Sequence, residues 1–188
     1  VAPYEVLRLA RNLGLTTTEV LARHTEAGGI RLRVREDGAC TFLTPQGCGV
    51  HADRPLVCRL YPLGRQVQED GSETFGDLPP HPQTAGVYGR AGTVDDYLRA
   101  QDVASYLAAG DRYGVLYRRM EAALERRAQA AGGVDPIEVT LGDLLTPWLD
   151  VDATVGAYCA ERGRPVPTDL DETVTLHIEA VETWLARF

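Results

Sequence analysis

The stretch DGACTFLTPQGCGVHADRPLVCR, Asp37 to Arg59, decides how this chain is read. It holds Cys40, Cys48 and Cys58, three of the four cysteines in 188 residues, at the spacing Cys-x7-Cys-x9-Cys. Between them stand turn formers: Asp37-Gly38, Pro45-Gln46-Gly47 and Arg54-Pro55. Aspartate followed by glycine is a tight-hairpin signal, because glycine takes the positive φ that such a turn requires. The segment therefore predicts thiols carried on turns and short strands, not on a long helix. Thiolates are soft, anionic ligands suited to zinc and to iron–sulfur clusters. The spacing is wider than the two-residue gaps of a zinc finger.

Working outward toward the N-terminus, Ile30–Arg35 alternates apolar residues with arginine, the pattern of a half-buried strand. A returning strand is expected to carry Cys40, Phe42 and Leu43. Before them, Pro3 to Leu13 reads as a helix, with Val6, Leu7, Ala10 and Leu13 at helical spacing and Gly14 as its stop. Thr16 or Thr17 caps a second helix that runs to about Thr25, and Gly28-Gly29 is expected to end it. Toward the C-terminus, Arg54-Pro55 opens a short turn or helix presenting Cys58. Arg65 to Phe75 reads as another hairpin with Asp70-Gly71 at its tip, followed by a Pro- and Gly-rich loop from Leu78 to Gly92.

Beyond Thr93 the periodicity becomes helical. Thr93 caps one helix, Tyr113, Leu116, Tyr117 and Met120 share a face of the next, and Gly132-Gly133 is expected to close it. Pro147 argues against a regular helix over Leu144–Leu149. Val155 and Cys159 mark a further helix, and Val174, Ile178, Val181 and Leu185 a last one. The expected fold is α+β and mostly α. Residues 1–92 are expected to form a cysteine-bearing region with short hairpins, and 93–188 a helical region packed against it as one compact unit.

Composition narrows the function. The net charge is −8, and all 19 basic residues are arginine. An acidic chain without a basic run is a poor partner for nucleic acid, whose affinity comes mostly from neutralising phosphates, or for an anionic membrane. No apolar stretch approaches the ~18 residues of a membrane span, and no secretory leader is visible. A cytoplasmic location is expected. Clustered thiols in a chain large enough to build its own core point to metal or redox chemistry, not to disulfide staples. The arginines around the thiols, Arg54 and Arg59 foremost, are candidates to donate hydrogen bonds to metal-bound sulfur. Cys159 lies on an apolar helix face and reads as a buried small hydrophobe; His24 and His177 lie in helices and read as structural. No phosphate loop, dinucleotide glycine pattern or HExxH motif occurs.

The stretches Asp37–Leu43, Gly47–His51 and Arg54–Leu63 together resemble the YkgJ-type cysteine-cluster family, described as zinc- or iron-chelating domains with an N-terminal CxxCxxCC motif. The resemblance spans about residues 1–110 and is densest from Cys40 to Pro62. It implies a metal centre on Cys40, Cys48 and Cys58, with an iron–sulfur cluster as first choice and zinc as second. The CxxCxxCC motif does not occur within Val1–Phe188. Val1 is not an initiator methionine, so upstream residues are expected, and an upstream cysteine is one source of a further ligand. Within the chain, His81 stands where relatives often carry another cysteine and is the leading fourth ligand. His51 stands where relatives often carry tyrosine, which favours an outer-shell role. The resemblance also implies another function, an S-adenosylmethionine-dependent protein lysine N-methylase-like enzyme; the C-terminal helices offer a third reading, a zinc-stabilised module that binds a protein partner.

Overall fold

A computed structural model of the chain describes residues 1–68, 70–82, 84, 86–89, 91–130 and 148–187. The expected break at Gly132-Gly133 and the segment 144–147, Pro147 included, lie outside the described residues. Among the described residues are seven α-helices and three two-stranded antiparallel hairpins, so the fold is α+β and mostly α.

The first helix, α1 (Pro3–Leu13), begins where proline needs no hydrogen-bond partner, and Glu5 reaches back to accept from Ala2 N–H at 2.6 Å. Gly14 ends it in the left-handed conformation, φ 65°. Helix α2 (Thr17–His24) starts with a reciprocal cap: the Thr16 hydroxyl accepts from Glu19 N–H, and the Glu19 carboxylate accepts from Thr16 N–H.

The α2 helix stops at His24, within one residue of the expected Thr25 and ahead of Gly28-Gly29. Thr25–Glu26 (β1) pairs instead with Arg31–Leu32 (β2). The turn between them holds three consecutive positive φ values, at Ala27, Gly28 and Gly29. Gly29 is also tightly enclosed: a Cβ there would lie 2.6 Å from Leu149 Cδ1 and 2.9 Å from Leu21 Cδ2. This turn spends the glycines on reversing the chain, and it shortens the strand expected over Ile30–Arg35. Arg33 then turns back, donating to Thr25 O at 2.8 Å and Ala22 O at 3.1 Å, a cation placed at the C-terminus of α2.

The chain forms two compact units, Val1–Asp53 with Ala109–Phe188, and Arg54–Ala108. In the first unit the core is built by Val6, Leu9 and Ala10 of α1, Val20 of α2, Phe42, Val50 and Leu149. Helix α5 (Ala104–Ala130) enters this unit from Ala109 onward. Val151–Glu161 (α6) and Leu170–Leu185 (α7) complete it. Tyr113, Leu116 and Met120 of α5 are buried at helical spacing, whereas Tyr117 is half exposed. Arg112 donates to Thr175 Oγ1 at 2.9 Å and Arg119 pairs with Glu182. The partners advance together along both helices, so α5 and α7 run parallel. Between them the Tyr113 hydroxyl meets Nδ1 of the fully buried His177 at 2.9 Å. Cys159 is fully buried on α6.

A polar latch joins the helix starts of this unit. Buried Asp150, the N-cap of α6, accepts from the hydroxyls of Thr17 and Thr18, both at 2.6 Å. Asp152 accepts from Thr17 N–H at 2.8 Å and from Arg11 at 2.8 Å. The N-termini of α2 and α6 therefore meet around two carboxylates, which offset the positive ends of both helices.

The second unit contains α3 (Leu56–Leu60), the hairpin β5 (Leu63–Val67) with β6 (Glu73–Asp77), helix α4 (Val94–Ala100) and the first residues of α5. The hairpin is longer than Arg65–Phe75, pairing Leu63 with Asp77 and Val67 with Glu73. Its tip forms as expected: Asp70 accepts from Ser72 N–H at 2.9 Å, and Gly71 has φ 82°. Thr93 caps α4 through a reciprocal bond with Asp96.

Candidate metal centre

Cys40 and Cys48 belong to one backbone motif. Asp37-Gly38 does turn the chain: Arg35 N–H donates to Ala39 O at 2.7 Å, and Val34 forms a bridge with Cys40. The returning strand stops there. Cys40 O accepts from Leu43 N–H at 2.9 Å, closing a turn, and Leu43–Thr44 (β3) pairs instead with Gly47–Cys48 (β4). The reason is Phe42, whose ring is buried in the core and rests on His24 with centroids 4.8 Å apart. A turn at Thr41-Phe42 drives this ring inward and leaves Cys40 outside. On the other side of Cys48, Val50 is buried in the same core. Each thiol is thus exposed, two residues from a side chain that pins the backbone.

After Val50 comes a single 3-10 turn, His51–Asp53. Asp53 fastens it to α1, accepting from Arg8 Nε at 2.6 Å and from Asn12 at 2.8 Å. His51 is left on the exposed side.

Cys58 sits at the centre of α3, exposed, while the next two residues, Arg59 and Leu60, are buried. Arg59 is only 3% exposed. Its guanidinium donates to Arg54 O at 3.1 Å, Gln101 O at 2.7 Å and the Tyr106 hydroxyl at 3.3 Å, and lies 4.5 Å from the Tyr106 ring centroid. It therefore caps the C-terminal end of α4, where carbonyls lack helical partners. Arg54 donates to the Gln101 side chain at 2.6 Å. These arginines hold the backbone on both sides of Cys58.

His81 is exposed in the loop after β6, and its backbone is tied to α3. Its N–H donates to the hydroxyl of Tyr61, the C-cap residue of α3, at 2.5 Å. The Tyr61 carbonyl in turn accepts from the Tyr97 hydroxyl at 2.6 Å. Burial raises the Tyr97 hydroxyl's pKa, with Arg54 opposing the shift, so it stays protonated and able to donate. Tyr61 and Tyr97 were not singled out in the sequence. The available signal was spacing, since Tyr61 lies three residues after Cys58 and so at the end of the same helical turn.

The donors thus occur as two pairs, Cys40 with Cys48 on one hairpin motif, and Cys58 with His81 through Tyr61. Their chemistry suits a thiolate-rich centre. Among the described residues, no three His, Cys, Asp or Glu side chains stand together so as to hold a metal ion.

Residues 2–79 match the CxxCxxCC family model, described as "Putative zinc- or iron-chelating domain". That match covers Cys40, Cys48 and Cys58 and ends two residues before His81. No curated protein and no solved structure matches the chain. Among the described residues, no helix is long and apolar enough to cross a membrane.

Proposed function

We propose that this chain is a metal-binding protein whose Cys40, Cys48 and Cys58 ligate one centre, an iron–sulfur cluster first and zinc second, with His81 as the fourth ligand. The observation that carries this reading is the exposure of all three thiols on short elements held by buried neighbours, within a segment matching a chelating-domain family. Buried cysteine is the usual state of a thiol kept for packing, and Cys159 shows that state in this chain. Three exposed cysteines need another reason. His51, Arg54 and Arg59 belong to the outer shell in this reading: His51 at the exposed side of its turn, the arginines by fixing the backbone around Cys58. A cytoplasmic location, where thiols remain reduced, is part of the same proposal.

Metal binding in this reading is coupled to ordering of the loops that carry the donors. A zinc ion would supply folding energy there, and an iron–sulfur cluster would add electron-transfer chemistry.

Metal and acid-labile sulfide analysis of anaerobically purified protein tests the proposal. Iron with sulfide and a broad visible absorption band is the expected result. One zinc per chain without colour would move the assignment to the second choice. Protein that retains neither metal, and takes up neither on reconstitution, would refute both.

A further inference from the structure

We infer that Tyr61 is a positioning residue that delivers His81 to the metal centre; this rests on the ligand assignment proposed above. Four features carry the inference. Leu56–Leu60 is a single helical turn that ends at Tyr61, and Tyr61 N–H donates to Val57 O at 3.1 Å, so Tyr61 moves with Cys58. The Tyr61 carbonyl is held by the Tyr97 hydroxyl at 2.6 Å, which fixes this end of the turn. Its own hydroxyl reaches out to His81 N–H at 2.5 Å. Lastly, His81 lies in the run Pro79-Pro80-His81-Pro82.

That last feature gives the single bond its leverage. Proline has no N–H and a fixed φ, so His81 provides the only backbone donor in the run. A flexible segment would need several bonds to be held; a proline-stiffened one is placed by its one donor. On the far side, His81 O accepts from Thr84 N–H at 2.9 Å and from the Thr84 hydroxyl at 2.7 Å, and Tyr88 donates to that hydroxyl at 2.9 Å. The imidazole-bearing residue is thus clamped through its backbone at both faces, while its side chain is exposed. Backbone clamping with an exposed ring is what a ligand-presenting residue needs, because imidazole ligates through a ring nitrogen and not through the backbone.

The test is a double-mutant cycle on the full chain with Co(II) as the probe. Tyr61→Phe removes only the hydroxyl and leaves the carbonyl that Tyr97 holds, so α3 stays in place. Losing an outer-shell contact typically weakens metal affinity about ten- to a hundredfold. We expect Tyr61→Phe to weaken Co(II) binding about tenfold and to shift the visible ligand-field bands. In a His81→Ala background it should change neither. Equal weakening in both backgrounds, no weakening in the single variant, or an unaltered His81→Ala affinity would each overturn the inference. Amide exchange at His81 in metal-free protein supplies an independent arm. Tyr61→Phe should speed it about tenfold, as expected for loss of a protecting bond, and an unchanged rate would overturn the inference. If the wild-type chain binds no Co(II), the ligand assignment fails, and the positioning role for His81 as a ligand fails with it. The exchange result then decides whether the Tyr61–His81 clamp exists at all.

Discussion

Arg59 and Arg35 show how little residue type says about energetic weight. Both flank a cysteine segment and both carry the same guanidinium. Arg35 pairs with Asp37 on the surface at 3.0 Å, where solvent screens the attraction. Arg59 is buried, and its donors meet the carbonyls that end α4 and the hydroxyl and ring of Tyr106. Removing it leaves the buried Tyr106 hydroxyl and the part-buried carbonyls of Arg54 and Gln101 without this donor, at about 1–3 kcal/mol for a buried acceptor and less for the others. Arg59→Ala is therefore expected to lower the stability of metal-free protein by about 3 kcal/mol in urea unfolding, clearly more than Arg35→Ala does. The sequence marks Arg59 as an arginine beside a cysteine; its partners at Gln101, Asp102 and Tyr106 lie more than forty positions away, a contact no local pattern encodes. Cys159 and His177 were legible for the opposite reason. Each lies on an apolar helical stripe, and periodicity alone buries it.

At the level of elements, helix starts and stops were readable because caps are local chemistry. Thr16, Thr93 and Gly14 act where their types and positions indicate. The strands were less readable. Ile30–Arg35 has the right alternation, yet the turn at Ala27–Gly29 commits Arg31–Leu32 to Thr25–Glu26, and burial of Phe42 breaks the next strand at Cys40. Tertiary packing outweighed a two-residue period. The Asp150 latch was also invisible, since it depends on two helix N-termini brought together from opposite ends of the chain. It should be costly to break. Asp150→Ala removes an N-cap and leaves the hydroxyls of Thr17 and Thr18 without their acceptor, so a loss of about 2 kcal/mol is expected from thermal or urea unfolding.

For the whole molecule, the resolved titrations of His24 and the carboxylates point one way. Burial, then Arg23 and Arg33, hold His24 below its ordinary pKa. The hydroxyl and backbone of Thr16 or Thr93, or a guanidinium, hold the Glu19, Asp37, Glu73 and Asp96 carboxyls below theirs. A depressed native pKa means that the unfolded chain binds more protons as pH falls, so stability is present above the unfolded pKa and is lost below it. The loss should come in two stages, the first from near pH 6.5 through His24 and the second below about pH 4.5 through the carboxylates. Unfolding midpoints of metal-free protein measured from pH 8 to about 2.5 should fall accordingly, and His24→Gln should flatten the first stage while sparing the second. Unchanged midpoints between pH 7 and 5.5 would contradict the role given to His24.

The unit that carries Cys40 and Cys48 is written in two instalments, Val1–Asp53 and Ala109–Phe188. During synthesis the first instalment leaves the ribosome with Phe42 and Val50 already made, but Leu149 and the Asp150 latch not yet translated. Its thiols then spend the time needed to make about a hundred further residues, at roughly 5–20 residues per second, on a chain that has no finished core to seat them. A gene fragment ending with the family-matched segment at residue 79 would make that interval permanent, and would give a polypeptide holding three of the proposed ligands and most of the core beneath two of them, but neither Leu149 nor the Asp150 latch that closes it.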